Sequence, residues 1–143
     1  MSVILDQPRS WEIWLKHAQS YEKAAGGRTG KPSPFTPTIQ YNLIALALEG
    51  YVMAMAAYHR TLPENHTFTD LIRAWEAVAP LEPWLKAAIL KYEDMQSICS
   101  LEAYQRRDPA PEEIAELRAA VTELGLIVKK TCLLDSPVAE VKP

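Results

Sequence analysis

Along this chain apolar residues return at three- and four-residue steps. No stretch alternates apolar and polar residues with strand-like composition, so the pattern predicts helices only. The stretch that organises the rest is Thr36 to Tyr58, TPTIQYNLIALALEGYVMAMAAY. Thr36 is a good N-cap, and Pro37 suits the first helical position, where its missing N–H would have no partner anyway. Leucine, alanine and methionine favour helix, and no proline interrupts them. Apolar residues lie almost all round this helix, which predicts burial on most sides. Its 23 residues invite comparison with a membrane span. Gln40, Tyr41, Asn42 and Glu49 break the run, however, and no basic flank anchors its start, so a core helix is expected. Asn42 and Glu49 are seven apart and share a face, where a buried carboxylate would need a partner.

Four further helices are expected around it. Ser10 precedes a heavy aromatic face of Trp11, Trp14, Leu15, Ala18, Tyr21 and Ala25, ended by Gly26-Gly27. The segment GGRTGKPSPF follows as a loop; it carries Arg28 and Lys31, but its glycine spacing matches no phosphate-binding fingerprint. The central helix should end near Arg60, ahead of Pro63. Thr67 with Asp70 reads as a cap for a short helix, FTDLIRAWEAVA, with Phe68, Leu71, Ile72, Trp75 and Val78 on its apolar face. Pro83 opens a long helix with Trp84, Ala88, Ile89 (or Leu90), Tyr92, Met95, Ile98 and Leu101 at core spacing. Arg106-Arg107-Asp108-Pro109 is a polar break. Pro111 starts the last helix, with Glu112 and Glu113 at its positive end and Lys129 and Lys130 at its negative end. The expected fold is all-α: an antiparallel, up-down bundle of four long helices plus one short one.

Composition narrows the picture. The 143 residues suit one domain, 1–143, with 1–8 and 134–143 (from Leu133 in the sequence pattern) as flexible termini. A net charge of −3 argues against double-stranded DNA as a partner, since that needs a dense basic surface. Cys99 and Cys132 lack a zinc spacing and read as reduced thiols in a cytoplasmic protein, with no metal, cofactor or membrane partner expected. The N-terminus has no signal-peptide pattern.

Candidate chemistry is sparse. No GxSxG or ExxH motif occurs, and His17, His59 and His66 have no metal-ligand spacing. Glu93-Asp94 and Glu112-Glu113 are adjacent pairs that point to different faces and read as solvated surface. His59 and Arg60 close the central helix, where positive charge meets the negative end of its dipole. Two features stand out: Arg60 with His66 across a turn, and Tyr104-Gln-Arg-Arg-Asp-Pro109, a basic corner beside an aromatic ring.

The order of these elements resembles the HEPN (higher eukaryotes and prokaryotes nucleotide-binding) domain family over roughly residues 10 to 130. Glu49 looks like the glutamate of the family's central helix, and His66 in NHTFTDLI like its histidine-led helix start. Arg106-Arg107-Asp108-Pro109 looks like the corner after the long helix, and Glu112-Glu113 like the acidic start of the last one. The chain departs from the pattern at Met53, where the family often has lysine, and in the order of the corner residues. RNA-cutting members use an Arg-x4–6-His pair near the last helices, and no histidine follows Arg107. The resemblance therefore implies a non-catalytic binding module that takes a nucleotide or another anionic ligand through Arg106, Arg107 and Tyr104. Its partners would be a second copy, as a homodimer built on the central and Trp84 helices, or a nucleotidyltransferase. The alternatives are a ribonuclease using Arg60 and His66, or a purely structural helical subunit.

Overall fold

The computed structural model describes residues 10–26, 35–61, 63, 67–93 and 109–134, and these are all-helical, with no strand among them. Five α-helices follow in order: α1 (Ser10–Ala25), α2 (Pro37–Tyr58), α3 (Phe68–Glu76), α4 (Pro83–Leu90) and α5 (Pro111–Lys129). A π-helical turn, Lys130–Leu134, continues α5. This turn buries Cys132 completely, so ordered helix reaches past Leu133, where the sequence pattern suggested a tail.

The ends of the helices follow local chemistry. Thr36 Oγ1 accepts the Ile39 N–H at 3.3 Å, and Pro37 takes the first turn of α2. Thr67 caps α3 by accepting from the Asp70 N–H at 3.1 Å and donating to Asp70 Oδ2 at 2.7 Å. At α5, the Glu113 carboxylate reaches back to accept the Ala110 N–H at 2.8 Å. Gly26, with φ of 71°, turns the chain out of α1.

The C-terminus of α2 is closed by an arginine in the position that usually holds glycine. Arg60 has φ of 62°. Around it the Thr61 N–H donates to Ala56 O at 2.8 Å and the Arg60 N–H to Ala57 O at 2.9 Å. That is a Schellman closure, and it satisfies two carbonyls the helix cannot. His59 Nδ1 adds a third donor, to Met55 O at 2.9 Å.

Packing centres on α2. A Cβ added to Gly50 would lie 2.8 Å from Ala18 Cβ, so the backbones of α1 and α2 approach closely there. Seven residues earlier in α1 and eight later in α2, the Trp11 and Tyr58 rings meet edge to face at 5.7 Å, so these helices run antiparallel. α5 runs the same way as α2. Tyr51 packs on Gly125. Ten residues earlier Tyr41 is tied to the backbone of Tyr92, whose hydroxyl donates to Glu116. Helices α3 and α4 close the remaining side, where Trp75, Leu71 and Ile89 meet Leu48, Val52 and Leu124.

Several core expectations change. Trp84 is 49% exposed, and α4 instead buries Leu85, Ala88 and Ile89, with Tyr92 just beyond its end. The buried residues form an i, i+3, i+4, i+7 stripe (Leu85, Ala88, Ile89, Tyr92), and Trp84 lies on the flank of that stripe. On α1 Tyr21 is exposed and Glu22 takes the inward position in the stripe Leu15, Ala18, Glu22, Ala25. Asn42 is exposed and Glu49 half-buried, so among the described residues the buried carboxyl group is on α1, not α2. The continuous long helix expected from Pro83 instead ends at Leu90, with a turn at Lys91-Tyr92, and the expected core positions Met95, Ile98 and Leu101 lie outside the described residues. An 18-residue window of α2 reaches a mean hydropathy of 1.2, enough for a membrane span by composition, yet 61% of it is buried inside the protein.

Candidate functional site

At the centre of the described fold lies one buried acid. Glu22 is 4% exposed. Tyr51 Oη donates to its Oε1 at 2.5 Å, and Thr122 Oγ1 donates to its Oε2 at 2.6 Å. Three helices thus meet at one carboxyl group, one side chain from each of α1, α2 and α5. Burying a carboxyl is costly unless its oxygens are hydrogen-bonded, and here both are. The signal was present in the sequence: Glu22 stands at a three-four-three position of an apolar stripe, where an acid implies inward donors.

Thr122 also lines a groove among the described residues. This groove holds about 590 Å³ between the first turn of α2 (Pro37, Gln40) and one face of α5 (Pro111, Ile114, Ala115, Arg118, Ala119, Thr122, Glu123). Its volume lies within the range of small-molecule sites, and its make-up, apolar with a few polar groups, is typical of them. The lining is smooth, built of two prolines and two alanines, with charge contributed by Arg118 and Glu123.

A second polar cluster joins α4 to α5. Glu116 Oε1 accepts from Tyr92 Oη at 2.5 Å and from Lys91 Nζ at 3.0 Å. These bonds, Tyr92 first and Lys91 second, hold the Glu116 carboxyl below the ordinary glutamate range. Glu93 is not merely solvated surface: it is half-buried, and its Oε1 accepts both the N–H and the hydroxyl of Thr69, each at 2.5 Å. A carboxylate from 24 residues downstream thus stands at the positive end of α3.

Of the residues singled out from sequence, Tyr104, Arg106 and Arg107 lie outside the described residues, as do His66 and Cys99. Arg60 is described, exposed, and committed through its backbone to closing α2. Among the described residues no group of three or more His, Cys, Asp or Glu side chains is placed to hold a metal ion. The groove and the Glu22 centre were not singled out by sequence pattern. Compared with models of known protein families, with curated proteins and with solved structures, the chain matches none.

Proposed function

We propose that the chain is a non-catalytic, HEPN-like helical binding module that takes a nucleotide or a similar anionic ligand in the groove between α2 and α5. The observation that carries this reading is the groove itself, of ligand size, with Arg118 in its lining and two helix N-termini at its edge. In this reading Arg106 and Arg107 of the basic corner supply the contacts to the anionic group. Arg107 stands four positions before Pro111, so no more than about 14 Å of extended chain connects the corner to the groove. An arginine fork binds phosphate through two parallel hydrogen bonds, and the Tyr104 ring would stack on a base.

In the same reading the fold is an up-down bundle of four long helices plus one short one. The antiparallel course of α1 and α2 and the parallel course of α2 and α5 are what such a bundle requires. A nucleotidyltransferase-type protein is the macromolecular partner this reading favours.

The test is a thermal shift titration with ATP. At a ligand concentration one hundred times Kd, binding stabilises the folded chain by about 2.7 kcal/mol, a shift of several degrees. Ala119→Phe, which fills the groove from an exposed position, and the Arg106→Ala, Arg107→Ala pair should each remove the shift while leaving the unliganded protein folded. No shift with ATP, or with the corresponding mono- and diphosphates, would refute the nucleotide reading.

A further inference from the structure

Thr122 is at once a lining residue of the groove and a partner of the buried acid behind it. A hydroxyl has one proton, and that of Thr122 goes to Glu22 Oε2 at 2.6 Å. Glu22, 4% exposed, holds this arrangement from inside the core, where its Oε1 accepts from Tyr51 at 2.5 Å. With its proton committed inward, Thr122 meets a ligand only through the lone pairs of its oxygen. Its neighbour Glu123 also lines the groove, and a carboxylate accepts as well. This end of the groove therefore presents acceptors, while the guanidinium of Arg118 belongs to the helical turn before it. Thr122 stands eleven positions after Pro111, about 16 Å along α5 at 1.5 Å per residue.

We propose that Glu22, acting through Thr122, makes the groove selective for adenine among the nucleobases. The inference rests on the nucleotide reading above and adds to it the recognition of the base. Acceptors in the site call for donors on the ligand, and adenine carries its amino group at the end of the purine away from the sugar. With the phosphates at the N-terminal end of α5, that amino group comes to Thr122 and Glu123, one N–H for each. Guanine and hypoxanthine have a carbonyl oxygen in that place, and an acceptor set against two acceptors is repelled. Cytosine carries an amino group on a single ring, which shortens its reach along the helix. Ile114, Ala115 and Ala119, between the two ends, give the faces of the base an apolar wall. Thr122 touches the ligand in this arrangement, and Glu22 is a positioning residue that fixes which way the Thr122 proton points.

Isothermal titration calorimetry with ATP, ITP and purine riboside triphosphate tests it, since the three share their phosphates and differ at position 6 of the base. The wild-type chain should bind ATP at least about tenfold more tightly than either analogue. Thr122→Val keeps the shape but not the lone pairs, and should lose most of that preference; Thr122→Ser should keep it. Glu22→Gln should move the ratio at least about tenfold toward ITP. Tyr51 is fully buried and still needs the amide oxygen, so the amide N–H turns to Thr122 and releases the Thr122 proton to the groove. A merely structural loss would weaken all three ligands together and leave their ratios alone. Equal wild-type affinity for the three would overturn adenine selectivity while the nucleotide reading stands. No binding of any of them would overturn both. A preference for ATP that survives in Thr122→Val and in Glu22→Gln would overturn the role of this pair, and should one variant not fold, the ratio in the other decides.

Discussion

A methyl group placed on Gly125 would lie 2.6 Å from Cζ of Tyr51. The glycine is therefore a contact surface for the ring and not a flexible point in α5. Because the Tyr51 hydroxyl is held by Glu22 at 2.5 Å, the ring cannot swing aside cheaply. Alanine in place of glycine within a helix ordinarily gains about 1 kcal/mol. Here the overlap should outweigh that gain, and Gly125→Ala should destabilise by about 1–3 kcal/mol. Urea unfolding measures it, and the loss should largely vanish when Tyr51 is also replaced by leucine. A more stable Gly125→Ala protein would refute the close packing.

The Glu22 centre should behave as a unit. Glu22→Ala leaves the buried Tyr51 hydroxyl and the half-buried Thr122 hydroxyl without this acceptor, and Tyr51→Phe removes one donor from the acid. Each group orphaned in this way costs about 1–3 kcal/mol. In a double-mutant cycle the two substitutions should couple by about 0.5–3 kcal/mol, because the second change finds its interaction already gone. Strict additivity would mean that the short hydrogen bond contributes nothing to stability.

Two positions seven residues apart on α2 should respond very differently to truncation. Met53→Ala empties a 5% exposed site and should cost about 2–5 kcal/mol. Leu46 is 40% exposed, and Leu46→Ala in the monomer should stay within about 0.5 kcal/mol of wild type. Equal urea midpoints for the two variants would contradict this asymmetry along the helix.

That asymmetry shows what could be read from sequence and what could not. Caps and breakers are local, so Thr36-Pro37, Gly26, Thr67 with Asp70 and Pro111 marked helix ends that the structure places there. Type and extent of α1, α2 and α5 followed from periodicity for the same reason. Burial on α2 did not, because a helix apolar on every side carries no phase to tell Leu46 from Met53. Trp84 failed in a different way: as a large apolar residue it suggested core, but the buried stripe of α4 is Leu85, Ala88 and Ile89, and Trp84 lies on its flank. The groove was illegible altogether, since it joins Pro37 and Gln40 to residues more than seventy positions away. Glu22 was legible in principle, as an acid in an apolar stripe, but its donors come from two other helices that only the fold brings together.

Arg60 supplies a test of backbone strain. A residue with a Cβ in the left-handed region costs roughly 1–2 kcal/mol relative to glycine, which adopts it freely. Since Arg60 occupies that region at φ of 62°, Arg60→Gly should stabilise the protein by about 1 kcal/mol. Arg60→Ala, which keeps the Cβ, should bring no such gain. Equal stability of the two variants, measured by urea unfolding, would show that the turn imposes no strain.

Glu116 gives the stability of the fold a defined dependence on pH. Hydrogen bonds from Tyr92 and then Lys91 lower its pKa in the folded chain, so the folded state takes up its proton less readily than the unfolded one. The resulting stabilisation is complete above the ordinary glutamate value of about 4.3. It declines as the pH falls through that value and is gone below the lowered native one. The side chain is 42% exposed, so solvent screens the Lys91 contact, and the Tyr92 hydrogen bond is the larger cause of the shift. Glu116→Gln should therefore cost stability at pH 7, with the difference from wild type shrinking toward pH 3. Tyr92→Phe should narrow the pH dependence more than Lys91→Met does, and 1 M NaCl should reproduce only the Lys91 effect. Urea midpoints of the four proteins between pH 3 and 7 decide the matter. A Glu116→Gln difference that stays constant across this range would show that the carboxyl group titrates alike in the folded and unfolded chains.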